Sequence, residues 1–116
     1  MGKKILAIDD EKLILKSIKK ALDRIGFEVT TACDREQFLR SIKENTYDLV
    51  ILDLHMDGLT SREIMESCRE KMEDVKFLII SGSELPVEEN FIQKPFRIGE
   101  LRERVRELLN GNSSEN

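Results

Sequence analysis

Short apolar runs alternate with stretches of helical period along this chain, and that alternation restricts the fold more than any other feature. Strands are predicted at Lys4–Ile8, Phe27–Thr31, Leu49–Leu52, Phe77–Ile80 and Phe91–Gln93. The first helix places Leu13, Ile14, Ser17, Ile18, Ala21, Leu22 and Ile25 on one face, and Gly26 supplies its stop. The second opens with Asp34-Arg35-Glu36-Gln37, a weak capping box, and buries Phe38 and Ile42. The third opens with a better box, Thr60-Ser61-Arg62-Glu63, and turns Ile64, Met65, Cys68 and Met72 inward. The last runs from about Ile98 to Leu109, with Leu101, Val105 and Leu108 inward and Gly111 as its end. The order β-α-β-α-β-α-β-loop-β-α predicts an α/β fold, a doubly wound five-stranded parallel sheet with helices on both faces.

One connection breaks the rhythm. Only nine residues, Gly82 to Asn90, lie between Ser81 and Phe91. A parallel crossover usually takes about a dozen or more, and Pro86 cannot sit deep inside a helix. The fourth helix is therefore expected to be shortened to a single turn or missing.

Length and charge narrow the function. A chain of 116 residues predicts one domain. The expected range is 1–110, with Gly111 to Asn116 a short polar, disordered tail and no output domain. A net charge of −4 argues against a basic nucleic-acid footprint. Cys33 and Cys68 form no CxxC and read as idle thiols of a reducing compartment. Lys3 and Lys4 precede only four apolar residues, which is no signal peptide. No apolar run approaches the roughly 18 residues of a membrane span. A cytoplasmic protein is expected, without membrane or nucleic-acid partners.

The strand ends carry the chemistry. Asp9 and Asp10 close the first strand, Asp53 the third, Ser81-Gly82 the fourth and Lys94-Pro95 the fifth. In open α/β sheets the carboxyl-end rim is where ligands bind. Three carboxylates gathered there would repel one another and raise their own pKa unless a cation joined them. They can hold Mg²⁺, a hard cation that takes oxygen ligands. One carboxylate can also serve as a nucleophile toward phosphorus. A hydroxyl and an ammonium beside it suit the non-bridging oxygens of a transferring phosphoryl group.

Four segments, Ile8-Asp9-Asp10-Glu11, Leu52-Asp53-Leu54-His55-Met56, Ile80-Ser81-Gly82 and Gln93-Lys94-Pro95-Phe96, make the chain resemble the receiver domain of a two-component response regulator. The likeness covers about residues 3–110. It implies a flavodoxin-like sheet of order 2-1-3-4-5. It makes Asp53 the phosphoacceptor, charged from a phosphohistidine on a sensor histidine kinase, and allows a downstream phosphotransferase or effector protein. It implies that Asp10 and Asp53 ligate Mg²⁺ directly, Asp9 through water, and the main-chain carbonyl of His55 as a further ligand. Lys94 would contact the phosphoryl group or Asp53, and Ser81 a phosphoryl oxygen. Phe91 matches the aromatic position whose rotamer follows Ser81, and the Lys94–Pro95 bond would be cis. The implied protein is no enzyme, but a phosphoacceptor that assists its own phosphotransfer and slow dephosphorylation.

The chain also departs from that family. Pro usually stands where this sequence has Asp57. Asp57 frees φ and adds a backbone N–H, which predicts a more mobile loop after Asp53. The short Gly82–Asn90 connection implies that the usual fourth-helix output surface differs. Two other functions compete. A haloacid-dehalogenase-like phosphatase also uses an Asp nucleophile and Mg²⁺, but wants a second Asp two residues on, where position 55 is His. A protein-binding module that lost phosphorylation would not need the intact acidic set. Nucleotide binding lacks a GxxxxGK[ST].

Overall fold

The computed structural model describes residues 2–56, 58–82 and 90–110, with the side chain of His55 also outside the description. Five strands, β1 (Lys4–Ile8), β2 (Glu28–Ala32), β3 (Leu49–Asp53), β6 (Lys76–Ser81) and β7 (Phe91–Gln93), form one sheet in the order β2-β1-β3-β6-β7. All four pairings are parallel. Counted within this sheet, the order is the expected 2-1-3-4-5. A two-residue antiparallel ribbon, β4 (His55–Met56) with β5 (Leu59–Thr60), follows β3 and was not anticipated from sequence. The helices are α1 (Lys12–Asp23), α2 (Arg35–Glu44), α3 (Ser61–Lys71) and α4 (Ile98–Asn110).

The central strands β1, β3 and β6 carry unbroken apolar runs because both faces of the sheet are covered there, whereas edge strand β2 (Glu28–Ala32) alternates exposed and buried residues. Alternate residues enter opposite cores, as the period of a strand requires. Leu6, Ile8, Val50 and Leu52 join Phe38 and Ile42 of α2 and Ile64 and Cys68 of α3. Ile5, Ala7, Leu49 and Ile51 join Leu15, Ile18 and Leu22 of α1 and Leu101 and Val105 of α4. Burial pushes the Cys68 thiol up to about 12, so it is inert, and both cysteines are free.

The inner face of α1 differs from the sequence reading. Leu13 is 77% exposed and Ser17 is exposed, while Leu15 is buried. At about 100° per residue, Leu13 and Ser17 fall well away from the line through Leu15, Ile18 and Leu22. The apolar character of Leu13 hid this. Gly26 does stop the helix, at φ 98, where Phe27 N–H donates to the Leu22 carbonyl (3.2 Å). That turn uses Phe27, so β2 starts at Glu28 and ends at Ala32, one residue later than predicted.

The two caps differ in completeness. Asp34 accepts from Gln37 N–H (2.8 Å), but Gln37 Oε1 reaches back to Cys33 N–H (2.8 Å), one residue before the cap. The α3 box is reciprocal: Thr60 Oγ1 accepts from Glu63 N–H (3.1 Å) and Glu63 Oε1 from Thr60 N–H (3.0 Å). Donation from the Thr60 backbone, aided by Arg35, holds the Glu63 carboxyl below its usual range. Thr60→Ala is expected to cost about 1 kcal/mol, read as a lower urea midpoint at unchanged slope.

The expected short fourth helix falls on residues 83–89, outside the described residues, as do Asp57, Gly111 and the tail. On either side of that connection, β6 and β7 pair in parallel with Ile79 opposite Phe91 and Ser81 opposite Gln93. Both sheet edges carry a basic side chain on an outward carbonyl. Lys19 Nζ donates to Val29 (2.9 Å) and Arg104 Nη2 to Phe91 (2.6 Å), which blunts each edge against strand addition.

Candidate functional site

Parallel register brings the strand tips to one rim. Ile8 lies opposite Leu52, Asp53 opposite Ile80, and Ser81 opposite Gln93. The residues that follow therefore meet although they are distant in sequence. Carboxylate oxygens of Asp9, Asp10 and Asp53 all lie within 4.8 Å of one another. Asp9 is fully buried, Asp53 is 5% exposed, and Asp10 faces solvent.

Lys94 enters this cluster as its cation. Nζ donates to Asp9 Oδ2 at 3.1 Å and lies 3.6 Å from Asp53 Oδ2 and 3.8 Å from Glu11 Oε1. Its main-chain N–H donates to the Ser81 carbonyl (2.7 Å), which ties the ends of β6 and β7 together. The Lys94–Pro95 bond is cis, as expected. Asp9 Oδ1 accepts from Glu11 N–H at 2.9 Å, and Leu54 N–H donates to the Ile80 carbonyl (3.0 Å) just past Asp53.

Both members of the Lys94–Asp9 pair are shifted upward. Burial raises the Asp9 carboxyl, outweighing the Glu11 N–H and Lys94, and the charge of Asp53 adds to the rise. Burial pulls the Lys94 ammonium down, but the hydrogen bond and charge of Asp9, with Asp53 and Glu11, outweigh it. Three carboxylates against one part-buried ammonium leave uncompensated negative charge, all of it on oxygen. That donor set fits Mg²⁺ better than a soft metal.

Lys94→Met tests this balance. It keeps the stem and removes the ammonium, leaving the buried Asp9 carboxylate short of a donor. The metal-free protein should lose about 1–3 kcal/mol at neutral pH. Asp9, already raised, would rise further. A carboxyl raised in the folded state contributes stability that is complete below its unfolded pKa and lost as pH rises through its folded pKa. The deficit should therefore shrink in mild acid and on adding Mg²⁺, as read by urea unfolding. An equal deficit under all three conditions would contradict the arrangement.

The remaining candidates have definite places. Ser81 is the last residue of β6 and fully buried. Phe91 opens β7, half-buried against the core shared by α2 and α3. His55 is the first residue of the ribbon, opposite Thr60. Sequence reasoning includes Glu11 in the acidic segment but gives it no role; its backbone N–H orients Asp9 and its carboxylate faces Lys94. Its place directly after the acidic pair was the available signal.

An open sheet with acidic, hydroxyl and ammonium groups gathered at its carboxyl rim suits phosphoryl chemistry. Residues 5–106 match the family described as the response regulator receiver domain. The transcriptional regulatory protein PrrA of Mycobacterium tuberculosis is 33% identical over 116 residues, 91% of this chain and 49% of PrrA. The alkaline phosphatase synthesis transcriptional regulatory protein PhoP of Bacillus subtilis is 31% identical, covering 94% of this chain and 49% of PhoP. This chain thus spans about half the length of the curated relatives it matches. The crystal structure of the response regulator TrrA of Thermotoga maritima, in complex with Mg²⁺ and BeF, is 32% identical with a TM-score of 0.80, covering 92% of this chain and 99% of TrrA.

The chain belongs to the response regulator receiver domain family. It is a receiver domain of two-component signal transduction, a class that accepts phosphoryl groups and interacts with histidine kinases. Among the described residues no helix is long and apolar enough to cross a membrane.

Proposed function

We propose that Asp53 accepts a phosphoryl group from a sensor histidine kinase, that the step depends on Mg²⁺, and that the chain acts as a signalling switch or phosphorelay intermediate. The observation that carries this reading is the position of Lys94 Nζ, 3.1 Å from Asp9 and 3.6 Å from Asp53 at the joined strand ends. A carboxylate oxygen of Asp53 forms the new O–P bond as the N–P bond of the phosphohistidine breaks, and the histidine nitrogen takes up the leaving electron pair. Lys94 and the Ser81 hydroxyl bind the phosphoryl oxygens, while Asp9, Asp10 and the His55 carbonyl join Asp53 in holding the metal. When bound, Mg²⁺ supplies neutralisation of charge on the transferring group. Phosphorylation adds about −1.5 to −2 charge at Asp53. That charge draws Lys94 and Ser81 inward and biases strand β7, with Phe91 following.

Beside Lys94 lies an open groove of about 420 Å³ lined by Ile14, Ser17, Lys94, Pro95, Phe96 and Ile98. Its nearness to Asp53 suits a kinase or phosphotransferase surface. We propose residues 1–110 as the receiver unit, working in the cytoplasm through protein contacts. The protein assists its own phosphotransfer and slow dephosphorylation, and does not turn over an external substrate.

Metal removal tests the reading. A small phosphodonor such as acetyl phosphate with Mg²⁺ should add one phosphoryl group, read by intact mass. Chelation should slow this on the order of a hundredfold or more, since such a metal contributes several kcal/mol. Undiminished labelling under chelation would sink the metal's role. Steady turnover of a phosphate ester would favour the phosphatase reading instead.

A further inference from the structure

The β4–β5 ribbon directly follows Asp53 and is only two residue pairs long, His55 with Thr60 and Met56 with Leu59. A hairpin this short does not hold itself in water. Met56 and Leu59 anchor one side of it in the core. Its turn contains Gly58 at φ 73, and Asp57 leaves that turn without a proline's fixed φ.

The turn is instead held from another helix. Arg35, the first residue of α2, donates from Nη1 to the Gly58 carbonyl at 3.0 Å. The same nitrogen lies 3.7 Å from Glu63 Oε1, and Glu63 Oε1 accepts from Thr60 N–H at 3.0 Å. One guanidinium thus joins the start of α2, the turn of the ribbon and the start of α3. Arg35 and Glu63 side chains are about half exposed (53% and 46%), so the pair adds little as a general stabiliser of the fold. Its effect is local, on the backbone that carries His55.

We propose that Arg35 is a positioning residue that holds the ribbon after Asp53, and with it the His55 carbonyl, in place for Mg²⁺. The inference rests on the proposed Mg²⁺-dependent function. If the ribbon is in its metal-competent arrangement for a smaller fraction of the time, the apparent Kd rises by the inverse of that fraction.

The test is Mg²⁺ titration by calorimetry, with amide exchange at Leu59 and Thr60, on wild type, Arg35→Ala, Arg35→Lys and Arg40→Ala, each with and without Asp57→Pro. Arg35→Ala should raise the Mg²⁺ Kd roughly threefold to tenfold, the equivalent of one hydrogen bond, and speed exchange at both amides. Arg35→Lys should recover part of this, because an ammonium can still donate to Gly58. Arg40→Ala removes an arginine from the same helix, where it pairs with Glu36 at 3.6 Å, and should change neither readout. In the Asp57→Pro background the Arg35→Ala effect should shrink. An unchanged Kd in Arg35→Ala, with only a lower unfolding midpoint, would overturn the proposal, as would full additivity with Asp57→Pro. Failure of wild type to bind Mg²⁺ would refute the functional reading and the metal half of this one. Unchanged exchange in Arg35→Ala would refute the brace on its own.

Discussion

Asp53→Asn is expected to take up no phosphoryl group from a small phosphodonor and Mg²⁺ under conditions that label the wild-type protein. Asn keeps the size of Asp and a carbonyl oxygen, but an amide is not a nucleophile toward phosphorus. The variant also removes one of three like charges whose oxygens lie within 4.8 Å. That relief offsets the loss of the Lys94 contact at 3.6 Å, so the variant should stay folded, and urea unfolding of the same sample separates loss of labelling from loss of fold. Asp10→Asn should behave differently, since it weakens the metal site and leaves the acceptor in place. Slowed labelling that recovers at high Mg²⁺ is the expected pattern. Equal labelling of wild type and Asp53→Asn would place the acceptor elsewhere.

Phe38→Ala is expected to lower stability by about 3–5 kcal/mol. Phe38 is fully buried, projecting from α2 into the core it shares with Leu6, Ile8, Val50 and Ile64. The loss is a large fraction of the roughly 5–15 kcal/mol that holds a domain together. The contrasting substitution is Leu13→Ala, on a side chain 77% exposed, which should stay within about 0.5 kcal/mol. Urea unfolding of both variants measures the difference. A loss of less than about 1 kcal/mol at Phe38 would mean that α2 is not packed on the sheet as described.

Those two substitutions also show where sequence reasoning reaches and where it stops. Phe38 is legible because it stands with Ile42 at helical spacing just after a cap. Leu13 is misread because its hydrophobicity says nothing about helix phase, which depends on where α1 starts. The β1 and β3 runs are legible because both faces are covered, so that Ile5 to Ile8 and Leu49 to Leu52 are apolar without a break. The β4–β5 ribbon is not, because two-residue strands leave no periodic signal. Its only marks are Gly58 and the capping box that follows.

The candidate site divides in the same way. Asp9, Asp10, Asp53, Ser81 and Lys94 are legible as residues, since each ends an apolar run in a parallel fold. The partners of Lys94 are legible only in part. The sequence reading places it against Asp53 or a phosphoryl group, and its Nζ does lie 3.6 Å from Asp53, but its hydrogen bond to Asp9 at 3.1 Å left no sequence signal. The contacts of Arg35 and Arg104 with main-chain carbonyls leave no sequence signal either. Any arginine on a helix reads as a solvated charge until the neighbouring backbone is placed.

Local chemistry along the chain by itself determined the element types, the parallel architecture and the set of groups at the rim. Apolar period, caps and breakers act over a few residues, so they are written in order. Tertiary structure alone decided that Lys94 pairs with Asp9 across 85 positions, that burial raises the Asp9 carboxyl, and that Arg35 reaches the turn after Asp53. These are matters of distance and dielectric between strand ends and helices brought together only by the sheet.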